Sequence, residues 1–292
     1  YQTASILLLK SDEFQGEYVS VSAVDQAKFL RPIVPGDTLR IEVSIDHMHA
    51  PEAHCKGRIL VGMDVAAESA FTLKAITLRA KDSYIDRTAV VHSTAKLGKN
   101  VRIGPYTIVD EHAVIGDNTI IDSHVVIGAR TIIGQDCHFH YGAVVGDLPQ
   151  DMKYAGEPTN VVIGDRNKVR EYVTISRATG PGNKTILGND NFLMSHVHIG
   201  HNCVLGNKIV VVSLSQLAGH VIVEDNVTIG GMVGIPQFLR LGRLAMIGGY
   251  SRLFQDIPPF MLAEGNPADV QMINLVGLKR NGIKRESINA IK

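Results

Sequence analysis

The 292-residue chain has no tryptophan, and aromatic residues make up only 5% of it. Its three cysteines (Cys55, Cys137, Cys203) form no CxxC pair. A sparse, odd set fits a reduced cytoplasm better than a disulfide scaffold. Net charge is absent too: 29 Lys+Arg balance 29 Asp+Glu. That disfavours a general nucleic-acid binder, which needs a basic surface. No run of about 18 apolar residues exists, so no membrane-spanning helix is expected. The opening YQTASILLLK lacks the basic start and small-residue cleavage site of a signal peptide. The chain begins at Tyr1 and not at Met, which suggests a fragment of something longer. What is abundant is glycine, with 28 residues, and apolar residues, at 45%. With 20% charged residues, this composition excludes a disordered chain. The length suggests two domains at roughly 150 residues each.

One repeat dominates. Stepping by six from Val91 through Leu97, Ile103 and onward reaches Val145. The register resumes at Ile163, Val169 and Ile175, and again from Leu187 to Ile247. Of these 24 positions, 23 are Val, Leu or Ile, and the other is Phe139. Both interruptions, about 146–162 and 176–186, are whole multiples of the period. Period six is the hexapeptide signature of a parallel β-helix. Three hexads make one triangular coil, with the aliphatic residue pointing inward. The narrow prism leaves little room for Trp or Tyr, which accounts for the missing rings. Gly commonly follows the aliphatic position, as at Gly98, Gly116 and Gly200. It suits a tight corner and a close backbone approach. The interruptions read as loops thrown out from coil corners, on one face of the solenoid and often the binding face.

Both ends differ. Residues 1–79 lack the period. Ala4–Leu9 reads as part of a helix, followed by strands at Tyr18–Val24, Thr38–Ile45, Lys56–Val65 and Ala70–Arg79. Pro35-Gly36-Asp37 is a turn signal. Residues 80–86 read as a polar linker, 87–253 as the β-helix and 254–292 as the start of a helical region. Beyond Ser251 the period stops, and a helical pattern begins at Val270. A solenoid needs its open end covered.

Residues 86–292 closely resemble the bacterial UDP-N-acetylglucosamine O-acyltransferase family, which opens lipid A synthesis. The resemblance rests on Asp151-Met-Lys-Tyr-Ala-Gly-Glu-Pro-Thr159, Gly164-Asp-Arg-Asn167 with Arg170-Glu171, His198-Ile-Gly-His201 and Leu217-Ala-Gly-His220. It rests also on Gln255-Asp-Ile-Pro-Pro-Phe260, Glu264-Gly-Asn-Pro267 and Gly277-Leu-Lys-Arg280. Residues 1–79 resemble the second half of a hot-dog-fold 3-hydroxyacyl-(acyl carrier protein) dehydratase, through Phe29-Leu-Arg-Pro-Ile-Val-Pro-Gly-Asp-Thr38. Gln2 aligns just after that family's catalytic acid, so this module is expected to be inactive as given. The fold class expected is mainly β: a left-handed parallel β-helix with a partial α+β hot-dog module before it and a truncated helical region after it.

The resemblance implies transfer of a (R)-3-hydroxyacyl group from acyl carrier protein to the 3-hydroxyl of UDP-N-acetylglucosamine. His201, two positions after Ile199, is expected to point outward. On its residue type alone it is a solvated surface histidine, whereas the resemblance makes it the general base. A neutral imidazole can take the proton of an attacking alcohol and return it to the leaving thiolate. Neither Ser nor Cys sits beside it in a nucleophile motif. Asn202, where the family often has an acid, orients the base or is a plain turn residue. Gly219 aligns with the donor of the oxyanion N–H, and is otherwise a corner glycine. Asp151, Lys153, His198, His220, Gln237, Asn274 and Arg280 align with substrate-contacting positions. Arg280 is the candidate for the diphosphate, since guanidinium forks match phosphate oxygens. Gly249 aligns with the residue that limits acyl length. Pro236 replaces a histidine common in the family.

The partners implied are the acyl carrier protein and UDP-N-acetylglucosamine, in a cytoplasmic homotrimer with no metal or organic cofactor. Arg240, Arg243, Arg252, Lys279 and Arg280 are candidates for a basic patch receiving the acidic carrier. Three alternatives stand beside this reading. His196, His198 and His201 invite a metal; the chain could be a non-catalytic trimeric scaffold; or it could be a related N-acyltransferase of the same pathway.

Overall fold

The computed structural model describes residues 18–49, 52–76 and 83–291. The chain divides into two compact units between Lys81 and Asp82. In the first, β1 (Tyr18–Phe29), β2 (Leu39–His49), β3 (Glu52–Val61) and β4 (Asp64–Ile76) form an antiparallel sheet in the order β1-β4-β3-β2. All four expected strands are present. The third ends earlier than expected, because Gly62 and Met63 turn the chain and Val61 pairs with Asp64. The 77–79 end of the fourth, the helix at Ala4–Leu9 and Gln2 lie outside the described residues. The turn at Pro35-Gly36 is type II: Gly36 takes φ 101°, and Asp37 N–H donates to Val34 O at 3.1 Å. That φ is costly for any residue with a Cβ. Alternation buries Ala53, Cys55, Phe71 and Leu73 on one face, against Val43 and Ile45.

The second unit is a parallel β-helix. Most of its strands are two residues long and belong to three sheets of 8, 11 and 8 strands. Each pairs with the strand one coil away: Ile121 lies between Ile103 and Phe139. From Ile103 to Ile247 every aliphatic hexad position is at most 2% exposed. The register survives both interruptions, since Val145 pairs with Ile175 and Ile163 with Leu187.

A second inward row stands two residues before the first: Val101, Ala113, Val125, Cys137, Val197, Cys203 and Val221 are buried. Its small and β-branched side chains fill the corners, a pattern the six-residue aliphatic step alone does not bring out. Phe139 is the largest fully buried side chain of the prism. Phe139→Ala is expected to cost about 3–5 kcal/mol, by lost burial and the cavity left behind. Equilibrium denaturant unfolding checks this.

Three expectations are corrected. The left-handed corner residue is not the glycine after the aliphatic position but the residue three after it. Asn100, Tyr106, His112 and Asn118 take φ of 57°, and the row continues to Tyr250. The glycines serve close approach instead: a Cβ on Gly116 would lie 2.5 Å from the Gly134 carbonyl of the next coil. Next, the solenoid begins inside the supposed linker, where Tyr84–Ile85 pairs with Arg102–Ile103. It also continues past Ser251. Leu253, Ile257 and Ala263 are buried, and Met246–Ile247 pairs with Leu262–Ala263, because the coil closes with altered spacing around Pro258 and Pro259. Last, the pattern from Val270 is not helical at its start. Ala268–Ile273 folds back as an antiparallel hairpin on Met261–Gly265, and helices follow only at Leu275–Arg280 and Arg285–Ile291. Leu278 and Ile288 pack with Leu244 as a cap core. Among the described residues, no helix is long and apolar enough to cross a membrane.

Candidate active site

The two insert loops leave successive coils on the same side and bond to each other. Gly180 N–H donates to Glu157 Oε1 at 2.7 Å, and Gly182 N–H to Pro158 O at 3.0 Å. The backbone donors of Gly180 and Ala155 hold the Glu157 carboxyl below its ordinary value. Beneath these loops, the strands at His198–Ile199, Gln216–Leu217 and Gly234–Ile235 stack in one sheet. They floor an open cleft of about 440 Å³, lined by His198, His201, Gly219, Gln237 and Pro236 among others.

His201 is not the exposed residue its hexad position predicts; it is 6% exposed. The next coil explains this. Gly219 has no Cβ, and one built there would lie 2.5 Å from the His201 ring. The imidazole therefore packs closely against the neighbouring coil, with the Asp151 loop beside it. Asp151 Oδ2 stands 3.9 Å from His201 Nε2. Its other oxygen accepts from Lys153 N–H at 3.0 Å.

Asn202 sets the tautomer. Its Oδ1 accepts from the Thr179 N–H at 2.9 Å and from the Thr179 hydroxyl at 3.1 Å, while its Nδ2 donates to Thr179 O at 3.1 Å. The amide cannot flip without losing these bonds. Oδ1 therefore faces His201 Nδ1 at 2.9 Å, which makes Nδ1 the donor of this bond and leaves Nε2 as the nitrogen not bonded to Asn202. Asn202 is also the left-handed corner residue, with φ 60°, so one residue makes the corner and the hydrogen bond to the His201 ring. Thr179, which holds the Asn202 amide, is a residue that the repeat gave no reason to single out; its place in the second insert was the available signal.

His198 and His220 flank His201. His198 Nδ1 lies 2.7 Å from Thr174 Oγ1. His220 packs edge-on against His201 at 5.2 Å and stacks on Phe238 at 4.8 Å. Burial, and then the neighbouring His201, push both below the ordinary histidine value. They are neutral hydrogen-bonding groups near neutral pH. Gly219 N–H has no hydrogen-bond partner among the described residues. No competing thiol is available, since burial pushes Cys203 up to about 12 and Cys137 up to about 11.

The cleft thus gathers His198, His201, Gly219 and Gln237, with Asp151, Asn202 and His220 adjoining. Lys153 is exposed on its loop. Asn274 lies outside the cleft: it caps helix Leu275–Arg280 by accepting from Gly277 N–H, and its amide donates to Leu244 O. Arg280 is exposed in the last turn of that helix. Gly249 sits in an exposed corner, where a Cβ would meet Gly231 O at 3.4 Å. Of the basic candidates, Arg240 is paired with Glu224. Arg243 and Arg252 lie over Phe260 and Phe254.

The chain is similar in sequence and fold to known proteins. Residues 112–147 match the model for the bacterial transferase hexapeptide (six repeats). Residues 256–292 match the model for domain 2 of UDP N-acetylglucosamine O-acyltransferase. An acyl-(acyl-carrier-protein)–UDP-N-acetylglucosamine O-acyltransferase from Gloeothece citriformis is 45% identical over 151 residues, 52% of this chain and about half (55%) of the relative's length. One from Paraburkholderia phymatum is 48% identical over 211 residues, 72% of this chain and 80% of that protein. The solved UDP-N-acetylglucosamine acyltransferase of Francisella novicida superposes with a TM-score of 0.70 at 38% identity, covering 71% of this chain and 77% of that one. With a relative this similar aligned over four-fifths of its length, the chain belongs to the acyl-(acyl-carrier-protein)–UDP-N-acetylglucosamine O-acyltransferase family.

Proposed function

We propose that this chain transfers a (R)-3-hydroxyacyl group from acyl carrier protein to the 3-hydroxyl of UDP-N-acetylglucosamine, the first step of lipid A synthesis. The observation that carries the reading is His201, with Nδ1 committed to Asn202 and Nε2 open to the cleft beside Gly219. Nε2 removes the hydroxyl proton as the sugar oxygen attacks the thioester carbonyl. The carbonyl oxygen becomes an oxyanion, which the unpartnered Gly219 N–H stabilises in place before charge develops. Collapse expels the thiolate, and the imidazolium returns the proton to sulfur. Asn202 orients the ring but carries no charge to balance the imidazolium, so Asp151 supplies the nearby negative charge. His198, His220 and Gln237 hold the sugar nucleotide, and Lys153 and Arg280, exposed on the loop and the cap, are the candidates for its phosphates.

The family also suggests a left-handed coil, a trimer with sites between subunits, and a cytoplasmic location. The four-stranded antiparallel sheet of residues 18–76 supports reading this unit as part of a hot-dog fold. The test is incubation of the full chain with (R)-3-hydroxyacyl carrier protein and labelled UDP-N-acetylglucosamine. An acylated sugar nucleotide is the expected product. A folded chain that forms none would overturn the reading in favour of a scaffold.

A further inference from the structure

The acyl-transfer cleft is not where ligand-type side chains gather most closely. Among the described residues, one group of three has donor atoms all within 4.8 Å of one another: Asp122, His138 and His140. These are not the histidines that the sequence analysis considered for a metal. They belong to the 11-stranded sheet, on a different side of the prism from the His198–Ile199 strand.

The coil repeat builds this cluster. His138 sits on the strand His138–Phe139, which pairs with Ile120–Ile121, and Asp122 and His140 follow the two strands at equivalent positions. His138 and His140 are two apart in extended backbone and share the outward face, with Phe139 buried between them. Their rings stack at 3.9 Å and 26°. His138 Nε2 lies 3.2 Å from both Asp122 oxygens, and His140 Nδ1 lies 3.4 Å from Oδ2. Glu171 Oε1 stands 3.8 Å from His140 Nδ1, but its carboxylate is held by Arg170 at 2.9 Å.

These separations decide the chemistry. A charge-assisted N–H···O bond closes to about 2.7–2.9 Å. A tetrahedral zinc with bonds of about 2.0–2.1 Å has ligand atoms about 3.3 Å apart. The two contacts to the carboxylate, at 3.2 and 3.4 Å, match the second arrangement. We propose that Asp122, His138 and His140 form a binding site for a divalent transition-metal ion, zinc above all, with two imidazoles and one carboxylate as ligands and the remaining position open to water. Two imidazoles and a carboxylate suit zinc better than calcium or magnesium, which take oxygen-only shells. The ligands stand on paired strands around a core phenylalanine, so the backbone already gathers them, and closing the site needs the stacked imidazoles to turn about their side-chain torsions until their in-plane lone pairs meet at one ion.

The proposal does not rest on the acyl-transfer reading, and it is tested by binding. The full chain is stripped with EDTA, dialysed, and titrated with Zn2+ by equilibrium dialysis with metal analysis. Co2+ serves as a spectroscopic probe of coordination. Asp122→Asn and the double variant H138Q/H140Q keep hydrogen-bonding side chains and are checked for folding by thermal melts. The expected result is one Zn2+ per chain, with affinity at least about tenfold weaker in both cluster variants and unchanged in His201→Gln. No zinc bound by the folded parent, binding untouched by the cluster variants, or loss caused by His201→Gln would each overturn the assignment.

Discussion

Replacing His201 by alanine is expected to lower kcat for acyl transfer by at least ~10²-fold, the usual contribution of a positioned general base. The loss should fall on kcat more than on KM. The ring's proposed work is on the moving proton, whereas sugar contacts are left to His198, His220 and Gln237. The fold should survive, because His201 lies outside the aliphatic rows and its ring packs against loop and corner groups (Gly219, Asn202, His220 and Asp151) rather than the prism core. Steady-state kinetics with a melting curve of the same sample check both. Near-normal turnover in a folded variant would remove His201 from the mechanism.

Gly219→Ala should be nearly as damaging for a different reason. The added methyl would lie 2.5 Å from both Cε1 and Nε2 of His201. Real Cβ atoms do not approach so closely, so the imidazole or the coil must move. His201 is held at its other nitrogen by Asn202, which Thr179 fixes in turn. A displacement on the order of 1 Å at a catalytic group can cost ~10²-fold, and the same methyl crowds the N–H offered to the oxyanion. A loss in kcat of ~10²-fold is therefore expected with little change in melting temperature. A crystal structure of the variant would show whether the ring has swung away. Full activity would mean that the base and the proposed oxyanion donor are not packed as described.

Much of this was legible in the sequence because a six-residue period admits few folds. The aliphatic row, the in-phase interruptions and the placement of both inserts on one side all follow from it. The row two residues earlier was less visible, since Thr, Ala, Cys, Ser and Asn share it with Val and have only small volume in common. The corner residues could not be read by type. Tyr, His, Leu and Met occupy a left-handed conformation that isolated sequence preferences assign to Gly or Asn, and only coil-to-coil hydrogen bonding holds them there. His201 illustrates the limit at the site. Its hexad position predicted exposure, and its burial depends on the missing side chain of a residue eighteen positions on. The zinc cluster was hidden in part for the same reason: His138 and His140 are two apart in the chain, but Asp122 joins them only across a coil.

Because each coil hydrogen-bonds only to its two neighbours, the β-helix is a one-dimensional cooperative array. Its stability is set by interfaces between adjacent turns, and opening by fraying starts at the ends. The His201 coil lies well inside the stack, with bonded turns on both sides. Local opening that disturbs the terminal coils therefore leaves the cleft assembled, and exposure of its backbone amides to hydrogen exchange requires rupture of the array itself.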